Sequence, residues 1–239
     1  MRRSLNIILA ALALVPLSCT MAEDIGDRGP ESGDYYSMNG GKNDDYTGEY
    51  MAIVTVKKTA KDTVFFQLTD DITVYPSNYQ DSYTKMERVF CDAVVWQERT
   101  GSYDYTCSVV WAEPVEEGTV TSGSEPQWDG VKDVLDIIDD WMTSVEDGYL
   151  TVHYNTWWGS AGVQHSFRLL MGTDPSNPYS LVLLQDSHGD LMEEKSDGLV
   201  CFDINALPDT GGEYIPLSIK WKTLEGMVSE RTFRFKTRE

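Results

Sequence analysis

The stretch Asp147 to Met171, DGYLTVHYNTWWGSAGVQHSFRLLM, decides the fold class. From Leu150 the chain alternates Leu150, Val152, Tyr154, Thr156 and Trp158 on one side with Thr151, His153, Asn155 and Trp157 on the other. A period of two is the signature of a strand with one face buried. Gly159-Ser160-Ala161-Gly162 then breaks the run, because glycine enters turns without steric cost. The return segment repeats the alternation through Val163, His165, Phe167, Leu169 and Met171. A hairpin turning at 159–162 sets Trp158 against Val163, Tyr154 against Phe167 and Leu150 against Met171. Every large apolar residue then falls on one face, and a slip of one residue would put half of them into water. His165 has no cysteine, acid or second histidine at ligand spacing beside it. It reads as a hydrogen-bonded core residue rather than a catalytic or metal-binding imidazole.

Downstream, apolar alternation recurs in short runs separated by polar turns. These are Ser180 to Gln185, Leu199 to Ile204, Ile215 to Trp221 and Thr232 to Lys236. Six such strands over residues 147–239 imply a β-sandwich. Upstream, strands are expected at Tyr50 to Lys58, Thr63 to Thr69, Ile72 to Asn78, Glu87 to Glu98 and Tyr103 to Glu113. About five short strands within residues 49–116 suit a small closed barrel, because closure removes exposed edges. The last two of these strands form an expected hairpin and carry Cys91 and Cys107. Whether the two cysteines bridge stays open at this level, because strand spacing alone does not bring two sulfurs into bonding range. Cys201 is left over as a small buried residue.

Residues 117–146 read as a linker followed by an amphipathic helix. Val131, Val134, Leu135, Ile138, Trp141, Met142 and Val145 recur at spacings of three and four, with Asp129 as an N-cap. Asp133, Asp136, Asp139 and Asp140 fall off the apolar stripe as a solvated face. They lack the loop pattern of a calcium site.

Arg2 and Arg3 precede an apolar run from Leu5 to Leu17, the layout of a signal peptide over residues 1–18 and too short to span a bilayer. The run ends at Leu17-Ser18-Cys19. This resembles a lipobox and favours lipid attachment at Cys19 over ordinary cleavage after Thr20-Met21-Ala22. Residues 19–48 are rich in Gly, Asp, Ser and Asn and read as a flexible tether. Removing residues 1–18 takes two of the 19 basic side chains and none of the 39 acidic ones, leaving a net charge of about −22. Such a chain repels phosphate backbones, which argues against nucleic acid and favours a protein or glycan partner.

Several of these motifs together resemble the NigD-like lipoproteins of Bacteroidetes. They are Asp147-Gly148-Tyr149-Leu150-Thr151-Val152, His165-x-Phe167-x-Leu169, Tyr75-Pro76-Ser77-Asn78, Arg88-Val89-Phe90 and the lipobox-like Cys19. The resemblance implies an OB-like N-terminal barrel, a C-terminal β-sandwich and an outer-membrane lipoprotein facing the cell surface or the periplasm. It carries no catalytic residues. The functional expectation is a lipid-anchored binding or protein-interaction module. A toxin-inhibiting, immunity-type protein stands as the alternative, and a glycan-acting enzyme as the weaker one. No catalytic, cofactor or metal residues are assigned, since the sequence has no Gly-x-Ser-x-Gly, His-Glu-x-x-His or phosphate loop. The residues expected to touch a ligand are Tyr149 and Trp157, the large aromatics on the face of the first strand turned away from the core.

Overall fold

The computed structural model describes residues 48–80, 87–96, 100–159, 162–190 and 192–238. Lipidation at Cys19, the signal peptide and nearly all of the tether lie outside these residues.

Five strands form the N-terminal unit: β1 (Gly48–Lys58), β2 (Val64–Gln67), β3 (Thr73–Pro76), β4 (Glu87–Trp96) and β5 (Tyr105–Pro114). They close into a barrel in the order β1-β2-β3-β5-β4, with β3 parallel to β5 and the other contacts antiparallel. Alternation places Val54, Val56, Val64, Phe66, Val74, Val89 and Ala93 inside. Cys91 and Cys107 line the interior as free, buried thiols beside a cavity of about 30 Å³. Burial pushes the pKa of each up to about 12. Cys107 stands opposite Val95, four residues along β4 from Cys91. That is roughly 13 Å of strand, beyond the reach of a disulfide. The bridge left open by the sequence is therefore absent.

The sandwich follows directly. Its strands are β6 (Glu116–Glu117), β7 (Thr119–Ser122), β8 (Leu135–Ile137), β9 (Ser144–Glu146), β10 (Tyr149–Trp158), β11 (Ser166–Met171), β12 (Ser180–Asp186), β13 (Glu194–Asp203), β14 (Ile215–Lys222) and β15 (Val228–Phe235). One sheet runs β6-β13-β10-β8, with β9 also on β10, and the other runs β15-β14-β12-β11-β7. The core between them holds Leu150, Val152, Tyr154, Phe167, Leu169, Leu181, Leu183, Phe202, Leu217, Ile219 and Phe235.

Two expectations are corrected. First, β10 and β11 are not hairpin partners. All ten residues of β10 pair with β13, and β11 pairs with β12 and β7 in the opposite sheet. Tyr154 does meet Phe167, with ring centroids 4.4 Å apart, but across the core rather than along a ladder. Two strands that each present an apolar face satisfy the pattern equally well side by side or face to face. The hairpin in this region lies at the other end of the stretch. Asp147 and Gly148 both have positive φ, 51° and 70°, and join β9 to β10 with Glu146 opposite Tyr149. That is the two-residue Asp-Gly turn whose twist suits a hairpin.

Second, the connecting helix is absent. Between Trp128 and Glu146 the described residues form one 3-10 turn, at Trp128–Gly130, and the strands β8 and β9. The segment is rich in β-branched residues and aspartate, both poor helix formers. Its aspartates fasten it to the sandwich instead. Asp136 Oδ1 accepts from Leu224 N at 3.0 Å, Asp139 pairs with Arg231 at 2.7 Å, Asp140 bonds His153 Nδ1 at 2.7 Å, and Asp133 accepts from Ser187 Oγ. The linker of the sequence reading is thus part of the sandwich, supplying four of its strands from β6 to β9.

Candidate binding surface

The barrel and the sandwich meet over Ile53, Val115, Tyr149 and Cys201, which form a small buried cluster of their own. Around it runs a polar lattice. Lys57 Nζ bonds Asp147 Oδ1 at 2.5 Å, and Arg238 Nε donates to the Asp147 carbonyl at 2.8 Å. Arg88 donates to Thr55 Oγ1 at 3.0 Å and to Thr151 Oγ1 at 3.3 Å. Asp70 N donates to Glu146 Oε2, and Asp147 N donates back to Asp70 Oδ1. Burial, with the Asp70 carboxylate second, pushes Glu146 up to about 7, and burial also raises Asp70.

This junction is the footing of an exposed aromatic surface. Phe90, Trp141 and Met142 pack against the junction cluster. Trp111 stands edge-on to Phe90 with centroids 5.2 Å apart, and the Trp141 ring lies 6.2 Å from Phe90. Met51 on β1 faces Asp92 on β4, which faces Trp111 on β5, so the three make one row across the barrel wall. The register between β4 and β5 shifts at Asp92/Ala93, leaving Val110 as an extra residue. A bulge of this kind redirects side chains, and here Val110 is 57% exposed and Trp111 37% exposed, with Met51 at 42%. The result is an apolar patch running from the barrel onto the sandwich. Acids flank it: Asp92 sits in the row itself, and Glu113 is the exposed partner of Phe90.

The residues expected to touch ligand fare differently. Tyr149 is 4% exposed, buried in the junction with the Arg238 guanidinium 4.9 Å over its ring, so it offers nothing to a partner. The face of β10 that points away from the sandwich core is covered at this end by the barrel. Trp157 is half-buried on that same face, with Lys195 Nζ 5.0 Å above its ring. It lies apart from the aromatic patch. The signal for the patch was present in Val109-Val110-Trp111, three consecutive apolar residues that break the alternation of a strand.

Two of the three histidines, His165 and His153, are held in structural hydrogen bonds. His165 is 1% exposed and stacks on Trp158 at 3.9 Å. Gln185 donates to its Nδ1 at 2.7 Å, so the proton sits on Nε2 and is shared with Asp190 at 3.2 Å. Asp190 also accepts from Gly159 N, which secures the end of β10. His153 is held between Asp140 and Asp197, at 2.7 and 3.1 Å.

Residues 120–235 match the NigD-like C-terminal beta sandwich domain. The C-terminal unit is a NigD-like sandwich domain. Solved structures share the fold over a greater length than this domain. A protein described as toxin-related, from Parabacteroides distasonis, superposes with a TM-score of 0.65 at 22% identity, covering 80% of this chain and 94% of that one. A NigD-like immunity protein from Bacteroides caccae gives 0.56 at 17%, covering 80% and 99%. A protein described as a lipoprotein, from Bacteroides fragilis, gives 0.56 at 10%, covering 80% and 100%. Comparison with curated proteins finds no match. The mainly β fold class expected from the sequence, a closed five-stranded barrel followed by a β-sandwich, is thus present.

Proposed function

We propose that this NigD-like protein is a lipid-anchored binding protein of the cell envelope that docks a protein partner on the patch of Met51, Phe90, Val110, Trp111 and Trp141. The observation that carries this reading is the exposure of Val110 and Trp111 on a rigid aromatic footing shared by both units. Exposed apolar patches with polar rims mark interaction sites, and Trp and Met are enriched in the buried centres of interfaces. The acidic rim and the formal net charge of −20 favour a partner with an apolar centre and a basic surround. Two of the three histidines, His153 and His165, are committed to structural hydrogen bonds, which is consistent with binding rather than catalysis.

The names of the solved relatives favour a second, narrower reading, in which the partner is a toxin that the protein neutralises. The name of the Bacteroides fragilis relative supports the lipid anchor at Cys19. A photo-crosslinking residue at position 111 in producing cells tests the surface. The same protein should be captured there and not from a control position at Met227, and Val110→Asp should abolish capture. Equal capture at both positions would remove the patch from consideration. Proteinase K treatment of intact cells, with Cys19→Ala as control, tests the anchor and the side of the membrane. Cleavage without cell lysis is the result expected for a surface location.

A further inference from the structure

A second aromatic surface lies on the opposite arc of the barrel. Phe66 pairs with Val74 and Gln67 with Thr73 between β2 and β3. Continuing that register by one step sets Phe65 against Tyr75 on the outer face. Tyr103, from the β4–β5 connection, completes a trio. Its ring stacks at 5.6 Å from Phe65, tilted by 30°, and at 5.7 Å from Tyr75, tilted by 27°. All three rings are half-buried, so part of each faces solvent.

The surroundings hold the trio in place. Asp104, next to Tyr103, accepts from Thr73 N at 2.9 Å and Thr73 Oγ1 at 3.0 Å, and its own N–H donates to the Thr73 carbonyl at 3.0 Å. At the other end of β3, the turn after Tyr75-Pro76 is locked to β5. Ser77 Oγ donates to the Cys107 carbonyl at 2.9 Å, and Asn78 exchanges bonds with Val109 at 2.7 and 2.9 Å. The sequence motif Tyr75-Pro76-Ser77-Asn78 thus fixes one ring of the trio, and Asp104 fixes another.

We propose that the Phe65–Tyr75–Tyr103 surface is a binding site for a neutral oligosaccharide, held by stacking of pyranose rings. The barrel has the strand order of an OB fold. In that fold the face of strands 2 and 3, with the loop between strands 4 and 5, takes oligonucleotides and oligosaccharides. Charge decides between the two. Single-stranded nucleic acid brings a phosphate with every base and needs a positive groove, whereas this chain carries a formal net charge of −20. A neutral sugar brings no such charge. Its C–H face lies flat on an aromatic ring, and its hydroxyls can reach the phenols of Tyr75 and Tyr103. Among the described residues neither phenol is engaged in a hydrogen bond.

The test is calorimetric titration of the full chain in detergent with cellohexaose and with chitohexaose, and with a thymidine oligomer as the polyanionic competitor. Saturable binding of a hexasaccharide is expected, with none of the thymidine oligomer. Tyr75→Ala and Tyr103→Ala should each weaken binding about tenfold, the loss of one stacked ring. Tyr75→Phe should keep most of it, and Met227→Ala, at an exposed position outside both surfaces, should leave it unchanged. Tyr103 lies in a connection, so its replacement spares the strands; unchanged thermal midpoints confirm that the variants fold. The proposal is overturned if neither sugar binds, if both alanine variants bind as wild type, or if the thymidine oligomer binds more tightly than the sugars. Because the trio shares no residue with the protein-docking patch, failure here and failure of that surface are separable.

Discussion

The barrel encloses valines, one leucine, one alanine, two thiols and a single aromatic ring, Phe66, fully inside. The sandwich encloses Tyr154, Phe167, Phe202, Trp221 and Phe235. The difference follows from geometry. A barrel's diameter grows with its strand number, and five strands leave room for small side chains. Two stacked sheets stand about 10 Å apart and swallow large ones. Four aromatic residues of the barrel strands, Phe65, Tyr75, Phe90 and Trp111, sit on its outer wall. The sandwich spends its rings on stability, while the barrel displays them.

The largest effect that would break or sharpen this contrast is expected in the sandwich. Phe202, fully buried, should cost about 3–5 kcal/mol when replaced by alanine. Val89 in the barrel, 1% exposed, should cost about 1–2 kcal/mol as alanine, a loss of two methyl-sized groups. Urea unfolding of the two variants measures both, and equal losses would erase the distinction between the cores.

The junction comes next. Glu146 has a folded pKa of about 7 against a usual 4.5. A raised carboxyl pKa stabilises the fold fully below the unfolded value, and that contribution is lost as pH rises through the folded value. The thermal midpoint should therefore fall between pH 5 and 8 (the change corresponding to about 3 kcal/mol at most), and Glu146→Gln should flatten that slope. A slope that persists in the variant would assign it elsewhere, with Asp70 the first candidate.

Gly148→Ala should cost about 1–3 kcal/mol. Its φ is +70°, and an added Cβ would lie 2.2 Å from Asn205 Oδ1. A cost near zero would mean that the β9–β10 turn had changed type. The smallest stability effect is expected at Trp111→Ala, within about 0.5–1 kcal/mol by thermal melting, since surface substitutions seldom cost more. A loss as large as that of Phe202→Ala would make Trp111 a core residue and not a displayed one.

Sequence alone located every barrel strand to within a few residues, because each is short, alternating and bounded by turn residues. It also identified the inward face of β10 and β11. It did not identify their partners, because a period of two records which side of a strand is dry and says nothing about whether the opposing surface belongs to the same sheet. The failure at Val131 to Val145 has a related cause. Leu135 and Val145 reach the sandwich core while Trp141 and Met142 reach the junction. Two destinations on a bent chain reproduced the spacing of a single helical stripe. Tyr149 reads as exposed in the sequence but is buried, because the unit that covers it begins a hundred residues earlier, where no local pattern can announce it. The Phe65–Tyr75–Tyr103 trio was scattered over three segments and became a cluster only once the barrel closed.

Asp147 has a consequence for the order of events during synthesis. It bonds Lys57 from the barrel and Arg238 from the last residues of the chain. The barrel's final strand ends at Pro114, so roughly 120 further residues must leave the ribosome before Arg238 arrives. At ordinary elongation rates that interval is on the order of ten seconds. Only through the first 33 residues of that interval, from Pro114 to Asp147, does Lys57 lack its carboxylate; Asp147 then supplies it, and Arg238 later closes on the same aspartate from the sandwich side.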